Sequence, residues 1–487
     1  MRACLFVAAA GLCVGAALGQ TGGPVLAPYD WVGSCGQMLW PSDGWYNDRF
    51  GGSMASDGQW LLVGASNDDT ACPFYPLCSS GSAYFFRRMP DGRYVQWQKV
   101  VPDDIRQYDF MGLGVAIQGS QAMVYRGGEI LGGPHSAGEI LIYTLSDDQW
   151  ELTGKVVSGE LLRSHGFGAG FELAGDMLAA ATSYVDADGR FLSGAIELFR
   201  KIDGVWTYLD TVEDPLGRFR AQWIDDLALL PDGTLAVTDW QDSTAFAQAG
   251  IVRIFEPVGD RWELTQELLP PDGQPYYGFS LDADAGRIAV GHPVGLSGGA
   301  AGGVASGRVD IYERGPDQWE RTHEVTLDEP AEGDELAEHV ELDGDRLLTI
   351  ASRAPFGGPF PSLFDGTWVV FDFDGTNWRQ KVESPGPPFY LHSSSIHIEL
   401  DGDTAFIAHE QWTPTPELER VGSVFAYDIG CLSCKPDLDA DGTLTIFDVL
   451  LFFNAFESGD PIADFDGDGE LTLFDFLAFQ TAFDAGC

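Results

Sequence analysis

Basic residues are scarce in this chain. Lysine and arginine number 27 against 74 aspartates and glutamates, and the formal charge is -47 over 487 residues. A nucleic-acid partner requires a basic patch that displaces phosphate counterions, and none is visible, so that partner is excluded. Anionic membrane surfaces are excluded on the same ground. Beyond the N-terminus no apolar run approaches the ~18 residues of a membrane span. The HExxH pattern of a zinc hydrolase is missing too. What the charge does provide is solubility and a raised local concentration of divalent cations.

The first residues, "MRACLFVAAAGLCVGAALGQ", place one positive charge before an apolar run and end in small residues. This is the pattern of a secretory signal peptide over 1–19, cut near Gly19–Gln20. The mature chain is expected to be secreted, with attachment to a cell surface open. Cys4 and Cys13 leave with the leader, and Cys35, Cys72, Cys78, Cys431, Cys434 and Cys487 remain. An even number in an exported protein points to disulfides. Cys431-Leu-Ser-Cys434 has the spacing of half a zinc site, but no second CxxC or paired histidine stands nearby.

Residues 50–428 are self-similar, and such a repeat must be read before any other feature. One unit runs "RFGGSMASDGQWLLVGASNDD", then "GSAYFFRR", then a run around Trp97; another runs "YYGFSLDADAGRIAVGHPVG", "GRVDIYER" and Trp319. Seven units follow at a spacing of about 57 residues. Their first strands are expected near Phe50, Met111, Phe167, Trp223, Tyr277, Leu336 and Ser395. Their third strands are expected from Gly81, Gly138, Gly194, Gly250, Gly307, Gly366 and Gly422. Each unit holds about four short alternating runs parted by Gly or Asp-Gly turns, so each is a small antiparallel sheet. Such a sheet cannot bury both faces alone, and radial stacking solves that. The fold class is all-β, a seven-bladed β-propeller over 20–430 followed by a small α-helical module over 431–487.

Ring closure is legible as well. Trp97, Trp150, Trp206, Trp262, Trp319 and Trp378 mark a fourth strand in the first six units, and the seventh has none. "YDWVGSC", with Trp31, is spare before the first unit. The N-terminus is therefore expected to supply the outer strand of the last blade, which would set Cys35 beside Cys431 for a disulfide. Cys72–Cys78 would staple one loop of the first blade.

These units resemble FG-GAP repeats, the blades of integrin alpha-subunit propellers. Phe50-Gly51, Gly64-Ala65-Ser66, Phe167-Gly168 and Tyr277-Gly278 carry the resemblance. Members often hold calcium between the first two strands of a blade. Here those connections are short, as in "LAGDM" and "LDGDR", and "DADGR" at 186–190 reads as a turn.

Propellers host enzymes and inert scaffolds alike. The ends of the second strands hold Ser66, Tyr125, Thr182, Asp239, His292, Ser352 and His409. Two histidines and an aspartate on one rim could build a site, but the expected role of each is a hydrogen-bonded loop residue. Loops 66–80, 292–306, 352–365 and 410–421 are expected on one face, where binding usually sits. Their aromatics, Phe74, Tyr75, Phe356, Phe360 and Trp412, suit a protein or carbohydrate ligand.

After Gly430 the composition shifts. Pro436 to Cys487 contains no lysine or arginine and twelve acids. Two loops align 27 residues apart: Asp437, Asp439, Asp441, Gly442, Thr443, Thr445, Asp448, and Asp464, Asp466, Asp468, Gly469, Glu470, Thr472, Asp475. They match positions 1, 3, 5, 6, 7, 9 and 12 of an EF-hand loop. Hard oxygen ligands at 1, 3, 5 and 12, a carbonyl at 7 and a water-linked 9 suit two calcium ions. Aspartate replaces the usual glutamate at position 12.

One helix is expected after each loop and none before it. That arrangement resembles a type I dockerin, whose family tethers secreted proteins to cohesin modules. The resemblance implies ends that meet, hence a Cys434–Cys487 bond. It also implies a cohesin-like or other envelope partner, read at positions 10 and 11 of each loop. Val449, Phe452, Phe453, Phe456 and Leu444, with Phe476, Phe479, Phe483 and Leu471, fall on one helical side and are the expected core. Ile446, Phe447, Leu450 and Leu451, with Leu473, Phe474, Leu477 and Ala478, are left over. A module this small cannot bury both faces, and exposed apolar patches mark interaction sites. Well-studied dockerins tend to be polar there, so the mode of recognition carries over and a cellulosomal partner does not. The sequence favours a non-enzymatic secreted scaffold on a calcium-dependent docking module. Its rival is an exported hydrolase or lyase acting on polysaccharide, delivered by the same module.

Overall fold

The computed structural model describes residues 35–487 apart from 71–77, 128–137, 160–163, 188–189, 217–223, 295, 298–303, 332, 352–366, 386–395, 412–419, 433–435, 437, 439–443, 459–462, 464, 466–470 and 486–487. The leader, Trp31, Cys72, Ser352 and the loop aromatics Phe74, Tyr75, Phe356, Phe360 and Trp412 lie outside these residues, as do Cys434 and Cys487.

Seven antiparallel sheets stand in sequence. The first is built from Phe50–Ser56, Trp60–Ala65, Ser82–Arg88 and Tyr94–Val100. The other innermost strands are Val115–Gln118, Phe171–Ala174, Asp226–Leu229, Leu281–Asp284, Val340–Asp343 and Ile396–Asp401. Each innermost strand contacts its neighbours in order, and the last contacts the first. The molecule is thus a closed seven-bladed propeller.

Stacking does what a lone blade cannot. Among the described residues seven apolar clusters each combine two adjacent blades. One joins Trp60, Phe85 and Val100 of the first blade to Val124, Tyr143 and Trp150 of the second. Trp150 lies flat on Phe85, ring centroids 4.4 Å apart. The cluster that closes the ring joins Phe406 and Val424 of the seventh blade to Phe50 and Leu61 of the first. Burial of such aromatic and aliphatic surface is the main stabilising contribution.

The expected third strands begin within a residue of the prediction in six blades. The third blade departs: its strands Met177–Ala187 and Arg190–Ile202 run long, and Ala187 pairs with Arg190. "DADGR" is accordingly the turn of this hairpin. In the fifth blade the expected irregular loop 292–306 carries a small ribbon, Leu296–Ser297 on Val304–Ala305.

The innermost strands of the second to sixth blades begin three or four residues later than expected. Gly112, Gly168 and Gly278 adopt positive φ there and turn the chain in an arch before it extends. The glycine that opens each third strand meets the next blade at this arch. A Cβ on Gly422 would lie 2.1 Å from the Phe50 carbonyl oxygen, and one on Gly250 would lie 2.0 Å from that of Tyr277. The repeated glycine is therefore the contact between blades.

The N-terminus completes the seventh blade, by Gly36–Leu39 rather than the segment around Trp31. The strand pairs antiparallel with Ser423–Asp428, from Gly36 opposite Tyr427 to Leu39 opposite Val424. Met38 and Leu39 are buried, one in each flanking cluster, and Trp40 packs beside them. Cys35 is buried and its carbonyl accepts the Asp428 amide at 2.9 Å, three residues before Cys431 in a short helix, α1, Ile429–Leu432. Cys35 and Cys78 are each disulfide-bonded. Two longer helices follow, α2 (Ile446–Ser458) and α3 (Leu473–Ala485). No helix of the described residues is long and apolar enough to cross a membrane.

Candidate functional site

The helices α2 and α3 start in the same way. Thr445 and Thr472 stand one residue before them, and their hydroxyls accept the amides of Phe447 and Phe474, each at 3.1 Å. Three residues on, Asp448 and Asp475 return the bond by accepting the amides of Thr445 at 2.7 Å and Thr472 at 2.6 Å. This reciprocal cap satisfies donors that a helix start leaves open. The second carboxylate oxygens reach back into the loops. Asp448 accepts the amide of Leu438 at 2.8 Å, and Asp475 that of Phe465 at 2.9 Å. Both aspartates are wholly buried. Loop position 12 thus ties positions 2 and 9 to the helix in both repeats.

Two buried carboxylates need compensating charge, and Pro436 to Cys487 supplies no basic side chain. Oxygen donors in this sequence pattern suit a divalent cation such as calcium. Asp437, Asp439, Asp441 and Thr443, with Asp464, Asp466, Asp468 and Glu470, lie outside the described residues.

Phe452 and Phe479 form the centre of the module, with Val449, Phe456, Leu471, Phe476 and Phe483 around them as expected. Leu438, Phe465 and Ala463 join from the loops, which helical spacing alone could not show. Phe453 departs from expectation. It is 45% exposed, stacked by one face on Phe476 at 5.4 Å. One residue past Phe452, it is rotated by about 100° off the core line. Leu444 is half-buried and outside the central cluster. Ile446, Phe447, Leu450, Leu451, Leu473, Phe474 and Leu477 are all exposed, by 38–68%.

A second concavity is the axial channel of the propeller, about 650 Å³. Its wall carries Glu172, Asp226, Asp282, Asp284, Glu341, Asp343 and Glu399, with His339 and His397. Sequence reading passed over this set because acids occur everywhere in the chain. The available signal was their register: "FELAG", "LDADAG", "VELDG" and "IELDG" place an acid at one position of successive inner strands.

Many of these carboxylates bond the next blade. Asp226 accepts the Leu281 amide at 2.9 Å, Asp282 that of Leu342 at 2.6 Å, and Glu399 that of Ser56 at 2.8 Å. At the strand ends Asp284 accepts the Gly344 amide at 2.7 Å, Asp343 that of Gly402 at 2.6 Å, and Asp401 that of Gly58. Burial raises the carboxyls of Asp226 to about 7 and Asp282 to about 6, and raises Glu172, Glu341 and Glu399 well above their usual range. It lowers His339 and His397 to about 4. Glu172 opens onto the channel, and the surrounding protein together with the carboxyls of Asp282, Asp226 and Glu399 disfavours its charge. Among the described residues no three His, Cys, Asp or Glu side chains converge as a metal-binding group.

The second-strand ends do not assemble into one site. His292 is buried, its Nε2 2.9 Å from the Pro275 carbonyl and its Nδ1 3.3 Å from Arg308. Asp239 is buried beside Arg253, 3.8 Å away. The His409 Nδ1 accepts the Gln411 amide, and the Thr182 hydroxyl donates to the Ala195 carbonyl. Tyr125 packs in an interblade cluster, and Ser66 is buried. No GxSxG nucleophile elbow is expected from the sequence reading, yet Gly295-Leu296-Ser297-Gly298-Gly299 has that spacing, a correction to it. Ser297 instead ends the first strand of the small ribbon.

Residues 36–86, the strand that closes the ring with the first two strands of the first blade and most of its third, match the family model of the FG-GAP repeat. No curated protein matches the chain at a significant level. Among solved structures the chain is similar to Saccharomyces cerevisiae Sqt1 at 8% identity, over 80% of this chain and 97% of that one, with a TM-score of 0.40.

Proposed function

We propose that this protein is a secreted, non-enzymatic propeller scaffold held to an extracellular or cell-surface partner by its C-terminal segment, acting as a calcium-dependent docking module. The observation that carries this reading is the pairing of two features in each repeat. A wholly buried aspartate ties the loop to the helix, and the residues just before it, Ile446-Phe447 and Leu473-Phe474, are 63–68% exposed. Calcium, held by Asp437, Asp439, Asp441, Thr443, Thr445 and Asp448, and by Asp464, Asp466, Asp468, Glu470, Thr472 and Asp475, would order each loop. The exposed residues beside it would contact the partner, a cohesin-like or other envelope protein. Disulfides Cys35–Cys431, Cys72–Cys78 and Cys434–Cys487 complete the proposal. The placement of Cys35 opposite Asp428 supports the first of these.

Local engagement of Asp239, His292 and His409 favours the scaffold over a polysaccharide hydrolase or lyase. The test is capture from the producing cell's envelope by the full chain, with calcium and with EGTA. A partner is expected only with calcium, and only when Ile446, Phe447, Leu473 and Phe474 are intact. Retention of that partner in EGTA, or by the fourfold alanine variant, overturns the docking role.

A further inference from the structure

The exposed apolar residues of α2 and α3 lie in the N-terminal half of each helix. Ile446, Phe447, Leu450 and Leu451, with Phe453 just beyond the midpoint, are the exposed set of α2, and Leu473, Phe474 and Leu477 that of α3. The last turns are polar, with Asn454 and Glu457 exposed on α2, and Gln480 and Thr481 on α3. Each patch is a large apolar surface whose surroundings hold only acidic charge. From Pro436 to Cys487 every charged side chain is an aspartate or glutamate. Two divalent ions would offset four of those twelve carboxylates, leaving the surroundings negative.

This charge decides between occupants. A second copy would bring its own acids against these, and like charges across an interface cost several kcal/mol. The chain's own propeller is acidic as well, and many of its arginines are already paired, as Arg287 is with Glu313 and Asp345. Resting on the docking role proposed above, we infer that the occupant is a segment or groove of another protein with an apolar centre and a lysine- or arginine-bearing rim. Apolar contact supplies the affinity, and complementary charge supplies rate and selectivity.

Two labelled helical peptides test this, one of leucine and lysine and one with glutamate at every lysine position. Each is titrated by fluorescence anisotropy into the full chain, with calcium and with EGTA, at low and moderate salt. The basic peptide is expected to bind with calcium, more weakly as salt rises, and the acidic peptide not to bind. Phe447→Ala/Phe474→Ala should weaken the basic peptide at least about tenfold, and Glu457→Gln should reduce its salt dependence. Circular dichroism and calcium uptake of both variants report that the module is intact. Equal binding of the two peptides, unchanged binding by the phenylalanine variant, or calcium-driven dimerisation in sedimentation overturns the inference. Calcium uptake without basic-peptide binding overturns it alone; absence of calcium uptake overturns the docking role and the inference together.

Discussion

Phe452 stacks on Phe479 with ring centroids 4.4 Å apart and planes 18° from parallel. The two residues hold the same place in repeats 27 positions apart, and both are buried. The module core is thus one aromatic pair donated by two copies of one motif. Phe452→Ala removes half of it. The expected loss is about 3–5 kcal/mol of module stability. Calorimetry of the full chain should show the C-terminal transition lowered or lost and the propeller transition unmoved.

The helix caps carry a smaller share. Thr445→Ala removes the acceptor for the Phe447 amide and half of the reciprocal cap with Asp448. The expected cost is about 1 kcal/mol, and Thr472→Ala should match it. Thermal unfolding of calcium-loaded full-length variants checks this, with serine at either position expected to restore stability.

Ring closure rests on Gly422, which adopts φ +92° against the Phe50 backbone. Gly422→Ala should destabilise the propeller by more than about 1 kcal/mol, because strain and a backbone clash add. Gly119→Ala is the control. It shares a positive φ, yet nothing stands within 4 Å of the added carbon. Its lesser effect in chemical denaturation would separate the clash from the conformational cost.

Much of this ring was legible because its cause is local. A glycine near the start of the third strand and a tryptophan in the fourth recur at fixed spacing in most blades. The arches at Gly112, Gly168 and Gly278 were not legible, since "FG" followed by apolar residues reads equally well as strand. The Gly36–Leu39 strand was placed a few residues early because Trp31 fitted the tryptophan pattern, whereas pairing with Ser423–Asp428 is set by Met38 and Leu39. The channel acids were hidden for another reason. Composition makes any acid unremarkable, and only the three-dimensional ring shows that Asp282 and Asp343 bond the following blade. At the C-terminus the helical period separated buried from exposed faces, and it failed at Phe453, on the border between them.

The channel wall gives the propeller a pH dependence of defined sign. Folded-state carboxyls raised above their usual range hold protons that the unfolded chain releases near pH 4. Their stabilising contribution is complete below that pH and is lost as pH rises through about 6 for Asp282 and about 7 for Asp226. His339 and His397, lowered to about 4, act with the opposite sign up to about pH 6.5, so the fall in propeller melting temperature is expected between about pH 6.5 and pH 8, and Asp226→Asn should flatten it. A melting temperature that rises across this window would contradict the assignment.

Calcium titration of the full chain by isothermal calorimetry tests the central claim most directly. Two ions per chain are expected, with uptake abolished in the Asp448→Asn/Asp475→Asn variant while the propeller transition stays in place. An unmodified chain that takes up no calcium, or a double variant that takes up as much, would contradict a calcium-ordered module.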